Sequence, residues 1–517
     1  MEKKRKPFIL WAIIIFGLIL IVYHSSNYFV YKKITKWLEV PNSGFSVESY
    51  CHLKINIWKG TLKIEEVVFN WKVEKKTVTQ FEIGRIDIKG IQVFELWKNK
   101  NIVIKQLEIS DPTIIFSIAS LEHNTEEKEK KETKSSPDLN IEHLIIKNGE
   151  IAKGDKTNKP ITSLYINEAE LNNIVINDWT NPSKIYEDLN DYHIEIKELR
   201  HQVTAWEIVT AKEIYLSNEE YYANQVDFYT ELDIKEYNSR LLHERDHYTI
   251  KIPKITLAVP EWKTRGTKQG FMLEFVNIHS PSVNIYRDKL LPDDTSYKPM
   301  FSQLLRDLKF DIHAQEIKLY EADIKYTERV KEENEGGTVH FNMFNANLQN
   351  VSNFIEINKE FPVEIHVESK FMETANLIAD WSFNPQTVDD NFTFKAKISH
   401  LDASRANEFT EPNLLVKMEG ELDQVYINLY GDRYRSTTDF AISFHELKVA
   451  LLRKDGKEKR KLISAIANIF VRKESNKENK TMREARVSVE RDTTKSVFNF
   501  LWKNTLEGLK ETMINKP

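Results

Sequence analysis

Apolar and polar residues alternate with a period of two over most of the chain. Ile86 and Ile88 alternate with Asp87 and Lys89, Ile114 and Phe116 with Ile115 and Ser117, and Ile250 and Ile252 with Thr249 and Lys251. Val363, Ile365 and Val367 stand against Glu364, His366 and Glu368, and Phe440, Ile442 and Phe444 against Ala441, Ser443 and His445. A strand sends successive side chains to opposite faces, so the pattern predicts a one-sided, antiparallel sheet with an apolar and a charged face. Between about residues 45 and 450 almost no amphipathic helix is long enough to cover the apolar face; residues 302–308 are a short candidate. Without helices, such faces must meet in a sandwich, close into a barrel, or curl into a groove that holds an apolar ligand. An outer-membrane barrel is disfavoured, because both ends of the chain read as helix.

The N-terminus departs from that period. Residues 7–31 contain no Asp, Glu, Lys or Arg, and residues 8–23 are apolar apart from Gly17. About 20 such residues, rising 1.5 Å each, cross a hydrocarbon core about 30 Å thick. A transmembrane anchor over residues 8–31 is therefore expected, with Phe8, Trp11, Ile14, Leu18, Ile21 and Tyr23 along it. Trp11, Tyr23, Tyr28 and Tyr31 suit its interfaces. A cleaved signal peptide is the competing reading, but cutting after Ser25 or Ser26 would put Tyr23 or His24 where a small residue is needed. The tail, residues 1–7, carries Lys3, Lys4, Arg5 and Lys6, which favours a cytoplasmic N-terminus against the pull of Lys32, Lys33 and Lys36. The remainder would then lie outside the cytoplasm.

An internal repeat runs through the alternating region. Leu107-Glu108-Ile109-Ser110-Asp111-Pro112 corresponds to Val276-Asn277-Ile278-His279-Ser280-Pro281 at an offset of 169. Ile145 to Ile151 correspond to Lys318 to Ile324 at 173, and Ala169 to Ile174 to Ala346 to Val351 at 177. Small loop insertions between equivalent strands produce such a drift. A repeated unit that cannot bury its own apolar face implies a stack of units. Residues 122–138 interrupt the first repeat with mixed charge and no apolar period, and read as a solvated, disordered linker. Residues 472–486 form a similar break.

Composition changes the picture in two ways. The 73 basic and 78 acidic side chains leave a net charge of -5, against the basic excess of a nucleic-acid binder. That near-balance is an average of unlike parts. Residues 453–517 hold 17 Lys or Arg against 9 Asp or Glu, a balance of +8, which leaves -13 for residues 1–452. In this basic end, Leu462, Ile463, Ile466, Ile469 and Phe470 fall at helical spacing after Lys459, Arg460 and Lys461. Phe498, Leu501, Trp502, Leu506, Leu509 and Met513 form a second helical stripe. Two roles fit such helices: capping the last edge of the sheet, or meeting anionic lipid or a membrane partner through Lys459, Arg460, Lys461, Phe470, Phe498 and Trp502.

Catalytic chemistry finds little support. His243-Glu244-Arg245-Asp246-His247 matches the H-E-x-x-H zinc-peptidase pattern, in which two histidines one helical turn apart hold zinc and the Glu acts as base. A strand beginning at Tyr248 leaves no long helix to carry those ligands, so a polar turn is the expected role. Phosphate-binding glycine loops and the G-x-S-x-G elbow do not occur. Cys51, the single cysteine, permits no internal disulfide and reads as a half-buried strand residue rather than a nucleophile. Asn391-Phe392-Thr393 matches a glycosylation acceptor, a triplet that arises by chance. No catalytic residue, metal site or cofactor is expected.

A basic tail, one apolar helix and strands such as Ile86-Asp87-Ile88-Lys89-Gly90-Ile91, residues 102–109 and Pro112-Thr113-Ile114 resemble the AsmA-like proteins of Gram-negative envelopes. The end is similar too, at Gly420-Glu421-Leu422, residues 444–449, Lys454-Asp455-Gly456, Ala465-Ile466-Ala467-Asn468 and the helix around Trp502. The charged linker 122–138 is not part of the family pattern. The resemblance implies a mainly β protein: an N-terminal transmembrane helix, then an elongated, twisted antiparallel repeating β-groove related to chorein-type lipid bridges, with C-terminal amphipathic helices. The layout is a first groove repeat over residues 45–180, an intervening β region over 181–248, a second repeat over 249–355, a C-terminal β region over 356–452 and a basic helical end over 453–517.

The groove would be lined by Ile86, Ile88, Ile102, Ile104, Leu107, Ile109, Ile114 and Phe116 in the first repeat. Ile250, Ile252, Ile255, Leu257, Val283 and Ile285 would continue it, and Val425, Ile427, Leu429, Phe440, Ile442 and Phe444 would end it. The implied function is non-catalytic binding and transfer of phospholipid or another acyl lipid, from an inner-membrane anchor with its bulk in the periplasm, in support of outer-membrane lipid homeostasis or assembly. Outer-membrane or envelope proteins are the implied partners. Two other readings remain: an envelope scaffold whose sheets close into a sandwich and bind proteins, and, remotely, the zinc peptidase.

Overall fold

The computed structural model describes residues 5–39, 45–73, 76–92, 101–117, 139–154, 160–176, 191–265, 268–358, 361–452 and 482–514, together with Glu95 and Leu189. The linker 122–138, the basic run Lys459, Arg460 and Lys461, and Phe470 lie outside the described residues. The chain is mainly β and divides into two compact units, residues 1–202 with 210–221, and residues 203–209 with 222–517.

The first unit opens with helix α1, Arg5–Glu39. Its sheet is built from β1 (Phe45–Asn56), β2 (Thr61–Val73), β3 (Lys76–Lys89), β4 (Ile102–Ser117), β5 (Leu139–Gly154), β6 (Pro160–Ile176) and β7 (Tyr192–Gln202). Each strand pairs with the next. All pairs are antiparallel except β4 and β5, which run parallel. The expected all-antiparallel sheet is thus corrected to a mixed one. A parallel pair needs a connection of a dozen or more residues to bring the chain back to its starting edge. Ser117 ends β4 and Leu139 begins β5, a separation in the sequence long enough for such a connection.

Strand β8 (Glu207–Ser217) crosses the division between the units. The second unit continues with β9 (Tyr221–Thr230), α2 (Ile234–Arg240), β10 (Asp246–Leu257), β11 (Glu261–Arg265), β12 (Lys268–His279) and β13 (Ser282–Asp288). Then come α3 (Phe301–Arg306), β14 (Asp311–Arg329), β15 (Gly337–Ser352), α4 (Ile355–Asn358), β16 (Val363–Phe371), β17 (Ala375–Phe383) and β18 (Phe392–Asp402). The chain ends with α5 (Asn407–Leu414), β19 (Val416–Gly431), β20 (Arg435–Leu451), β21 (Arg483–Glu490) and α6 (Val497–Ile514). Strands β12 and β13 both run parallel to β14, and β14 to β21 pair in sequence antiparallel. Here the parallel return contains α3, the short helix expected near residues 302–308.

The repeat seen in the sequence is a repeat of backbone conformation. Asp111 and Ser280 lie at φ 55° and 46°, Asn148 and Glu321 at 55° and 50°, and Asn173 and Asn350 at 55° and 57°. These three pairs are separated by the offsets 169, 173 and 177. Each is a left-handed residue inside a strand, the mark of a bulge, which inserts one residue and bends the strand. The bulges keep the apolar side chains on one face. On β5 the inward residues are Leu139, Ile141, Leu144, Ile146, Gly149 and Ile151, with a spacing of three instead of two wherever a bulge intervenes.

Candidate functional site

In the first unit, cross-strand pairing arranges the apolar face as unbroken rows. One row runs Ile55, Leu62, Ile88, Leu107, Leu144, Leu171 and Tyr192, each opposite the next across seven strands. A second runs Ile64, Ile86, Ile109, Ile146, Ala169 and Ile194. A third runs Val47, Phe69, Phe81, Ile114, Ile151 and Leu164. On the opposite face, charged residues such as Arg85, Asp87, Glu108 and Lys147 pair with one another.

Most members of these rows are only half-buried. Ile104, Ile141 and Ile174 form a buried knot, with Ile88, Ile102, Leu107, Leu139, Leu144, Leu171, Ile176 and Leu189 packed around it. Leu53, Ile64 and Val67 form another, closed from above by Ile34 and Leu38 of α1. Among the described residues, the extensive contacts in this unit are between ladder neighbours and between α1 and β1; no second sheet of the same unit packs on the rows. The structure therefore places seven of the eight expected first-repeat residues, Ile86, Ile88, Ile102, Ile104, Leu107, Ile109 and Ile114, on one apolar face. Phe116 lies on β4, and its side chain is outside the described residues.

The second unit divides. Ile250, Ile252, Ile255, Leu257, Val283 and Ile285 are half-buried on β10 and β13. From them a row runs Ile255, Ile278, Leu319, Ala346, Val367, Ala379, Ala396, Ile427 and Phe440. Its far end is closed. Val425, Ile427, Leu429, Phe440, Ile442 and Phe444 are 0–6% exposed and share one core with Val497 and Phe500 of α6. These six are core under a helix and not an open wall, which corrects the expectation for the C-terminal region. The cause is close docking of α6: Asn504, fully buried, accepts from Ser436 Oγ at 2.9 Å and from Thr438 Oγ1 at 2.7 Å. Phe498 and Trp502 point outward from α6, 64% and 42% exposed.

The HERDH segment is spent on structure. Glu244 is buried between Lys495 Nζ and Lys289 Nζ, each at 3.2 Å. Arg245 reaches the buried Glu207 at 2.8 Å, and Asp246 holds Arg287 through two bonds of 2.6 and 2.7 Å. His247 Nε2 lies 2.8 Å from the Leu232 carbonyl, and His243 is exposed. Since β10 begins at Asp246, no helical turn places the two histidines on one face. No group of three metal-ligating side chains occurs among the described residues. Tyr237, fully buried beside Glu207, has its phenol pushed up to about 12, mainly by burial. These groups form a polar clasp that ties α2, β10 and the chain before α6 together.

Cys51 is exposed rather than half-buried. It lies next to the bulge at His52, and the Glu66 carboxylate hydrogen-bonded to it raises its thiol above the ordinary value. Asn391 lines a cleft of about 910 Å³ at the strand ends. Across its floor Ser382, Thr393, Tyr430, Thr437 and Ser488 stand opposite one another on five neighbouring strands, a row hidden from sequence reasoning because it needs the register.

The side chains of helix α1 described between Phe16 and Val22 are all apolar, and polar ones follow from His24 onward. Phe16, Leu18, Ile19, Leu20, Ile21, Val22 and Phe29 are 41–69% exposed. The side chains of Phe8, Trp11 and Ile14 lie outside the described residues. No helix among the described residues is long and apolar enough to cross a membrane. No family model matches the chain, and no curated protein is similar to it, so any function rests on this geometry.

Proposed function

We propose that the protein is a membrane-anchored carrier of phospholipid or another acyl lipid, and that the apolar face of the first unit holds the acyl chains. The observation that carries this reading is the set of continuous apolar rows from β1 to β7, with no second layer of the same unit packed on them among the described residues. Removing each CH₂ group from water is worth about 0.8 kcal/mol, so a chain of ordinary length is held without covalent chemistry. A row of similar aliphatic side chains offers no point much tighter than the next, so a bound chain slides at low cost.

The exposed apolar surface of α1 and the charge-free residues 7–31 support an anchor. With the AsmA-like pattern, the reading extends to an inner-membrane protein with its bulk in the periplasm, serving outer-membrane lipid supply. A scaffold reading draws on one feature, the closed core under α6 with Phe498 and Trp502 exposed outside it.

A photo-reactive phenylalanine analogue tests the carrier reading in the full chain within cells. At Leu144, on the apolar rows, it captures lipid on illumination; at Ile145, on the opposite face of the same strand, it does not. Equal absence of lipid at both positions, with the protein folded, removes the reading.

A further inference from the structure

The first hairpin is bound to α1 by side chains that the anchor alone does not require. Asn56 Nδ2 donates to Tyr23 Oη at 2.7 Å, the Ile57 N–H donates to Asn27 Oδ1 at 2.9 Å, and Trp58 Nε1 donates to Ser26 Oγ at 3.1 Å. The Tyr23 and Trp58 rings lie 6.3 Å apart. Yet Trp58 is 60% exposed, and Lys59 beside it is exposed. A tryptophan at a hairpin tip whose N–H is satisfied and whose ring is largely exposed presents an apolar body that the described residues leave mostly uncovered. Tyr23 closes the continuous apolar run that begins at Phe8, and Tyr28, Phe29 and Tyr31 are exposed a turn or two further on.

Depth follows from helix geometry. About 20 residues of helix fill the hydrocarbon core. A span starting at Phe8 therefore reaches the outer interface at about residue 27, the level at which Ser26 and Asn27 grip the hairpin. Tryptophan, tyrosine and lysine are the residues that settle at the headgroup level.

We propose that the β1–β2 hairpin tip, with Trp58 and Lys59, seats in the headgroup region of the bilayer that α1 spans. This rests on the anchor reading and adds a second contact to it. Two attachments fix the sheet against the membrane, where a helix alone would leave it free to swing. They also bring the row that starts at Ile55 and Leu62, two residues from the turn Ile57–Gly60, to the membrane surface, so that an acyl chain passes from bilayer to wall without crossing water.

The test places an environment-sensitive fluorophore at Lys59→Cys in a Cys51→Ser background, which keeps Trp58. The full chain is assembled in nanodiscs of phosphatidylcholine and phosphatidylglycerol in equal parts. Lipids carry a nitroxide either high on the acyl chain or near its terminal methyl, and a second variant, Leu18→Cys, reports on the anchor. The expected result is quenching at position 59 by the shallow nitroxide and several-fold less by the deep one, with Leu18→Cys quenched by the deep nitroxide. Quenching at 18 with none at 59 overturns the hairpin proposal and leaves the anchor standing. Absence of quenching at both positions overturns the anchor reading and this proposal with it. Trp58→Ala supplies the complementary arm: it should release position 59 from the shallow quencher, and unchanged quenching assigns the contact to another part of the hairpin and overturns the role of Trp58.

Discussion

Asn148 donates from Nδ2 to Asp111 Oδ1 at 3.1 Å, and both residues sit at φ 55° on neighbouring parallel strands. Two bulges are thereby locked in step where β4 and β5 cross the apolar face. Asparagine tolerates the left-handed region better than branched residues. Asn148 also accepts from Tyr165 Oη at 3.1 Å; Asn148→Val combines backbone strain of about 1–3 kcal/mol with loss of both exposed bonds, whereas Asn148→Gly keeps the backbone and loses only the bonds. Urea unfolding should show Asn148→Val clearly destabilised and Asn148→Gly near wild type. Equal losses in the two variants would show that the left-handed backbone carries no cost.

Gly508 shows how tightly α6 docks. A Cβ built there would lie 2.5 Å from Cγ and 2.8 Å from Cβ of Phe440, a ring 1% exposed. Alanine favours helix by about 1 kcal/mol over glycine, but overpacking costs about 1–3 kcal/mol. The stem of the Phe440 side chain cannot move aside without moving β20, so the clash should win. Gly508→Ala is expected to lower the thermal midpoint and Gly508→Val to lower it further, with new protease cleavage in α6. A rise in the midpoint of Gly508→Ala would mean that α6 shifts freely on the sheet.

Asp390 is fully buried and takes four bonds: Ser302 Oγ at 2.9 Å, Arg306 Nη2 at 3.0 Å, and Arg433 Nε and Nη2 at 2.8 and 2.6 Å. It fastens α3 to the end of the β17–β18 hairpin. Asp390→Ala leaves the Arg306 and Arg433 guanidinium groups with backbone carbonyls as their remaining acceptors, and breaking a buried pair from one side typically costs about 3–5 kcal/mol. The variant should expose residues 289–310 to protease before the rest of the second unit unfolds. A loss below about 1 kcal/mol in denaturant titration would place the pair among weak surface bridges.

Burial holds the His313 imidazole below its ordinary value of 6.5. The folded state then prefers the neutral ring, while the unfolded chain takes up a proton first. Its contribution to stability is present above the ordinary value and is lost as pH falls through the lowered folded value. Asp380 raises His366 in the opposite sense. The informative quantity is therefore the difference between wild type and His313→Gln. The advantage of wild type should shrink on acidification below about pH 6.5, and a difference that stays constant with pH would show that His313 is equally free to protonate in both states.

Much of this architecture is legible in the chain, because a one-sided sheet writes its period into the residues. Ile86 and Ile88, or Ile250 and Ile252, announce a strand and a face. The repeat offsets of 169, 173 and 177 mark the backbone bulges without naming them, since a gap of three between Ile146 and Gly149 reads as noise until the φ angles are seen. Two things were not legible. Phe440 and Ile442 alternate as Ile86 and Ile88 do, so the sequence cannot say that α6 covers the first pair and leaves the second half-buried; coverage is a tertiary fact. The parallel pairing of β4 with β5 was hidden because local alternation is the same in both senses, and only the long connection 118–138 hinted at it.

A charge set into the wall separates a conducting face from a set of local pockets. Leu107 stands mid-row, with Ile88 on the β1 side and Leu144 then Leu171 beyond it. It is half-buried, so Leu107→Lys leaves the ammonium a route to water and the sheet should stay folded. An acyl chain passing that point meets a penalty of about 2.5–3.5 kcal/mol, the cost of a lysine in hydrocarbon, or roughly a hundredfold in occupancy at about 1.4 kcal/mol per tenfold. If lipid enters at the α1 end and slides, photo-capture at Ile88 should persist in Leu107→Lys while capture at Leu171 falls to a few per cent of wild type. The reference variant Leu107→Met should leave both unchanged. Persistence of capture at Leu171 in Leu107→Lys, with thermal unfolding unaltered, would show that each part of the wall loads lipid independently, and the face would then be a carrier surface without directional passage.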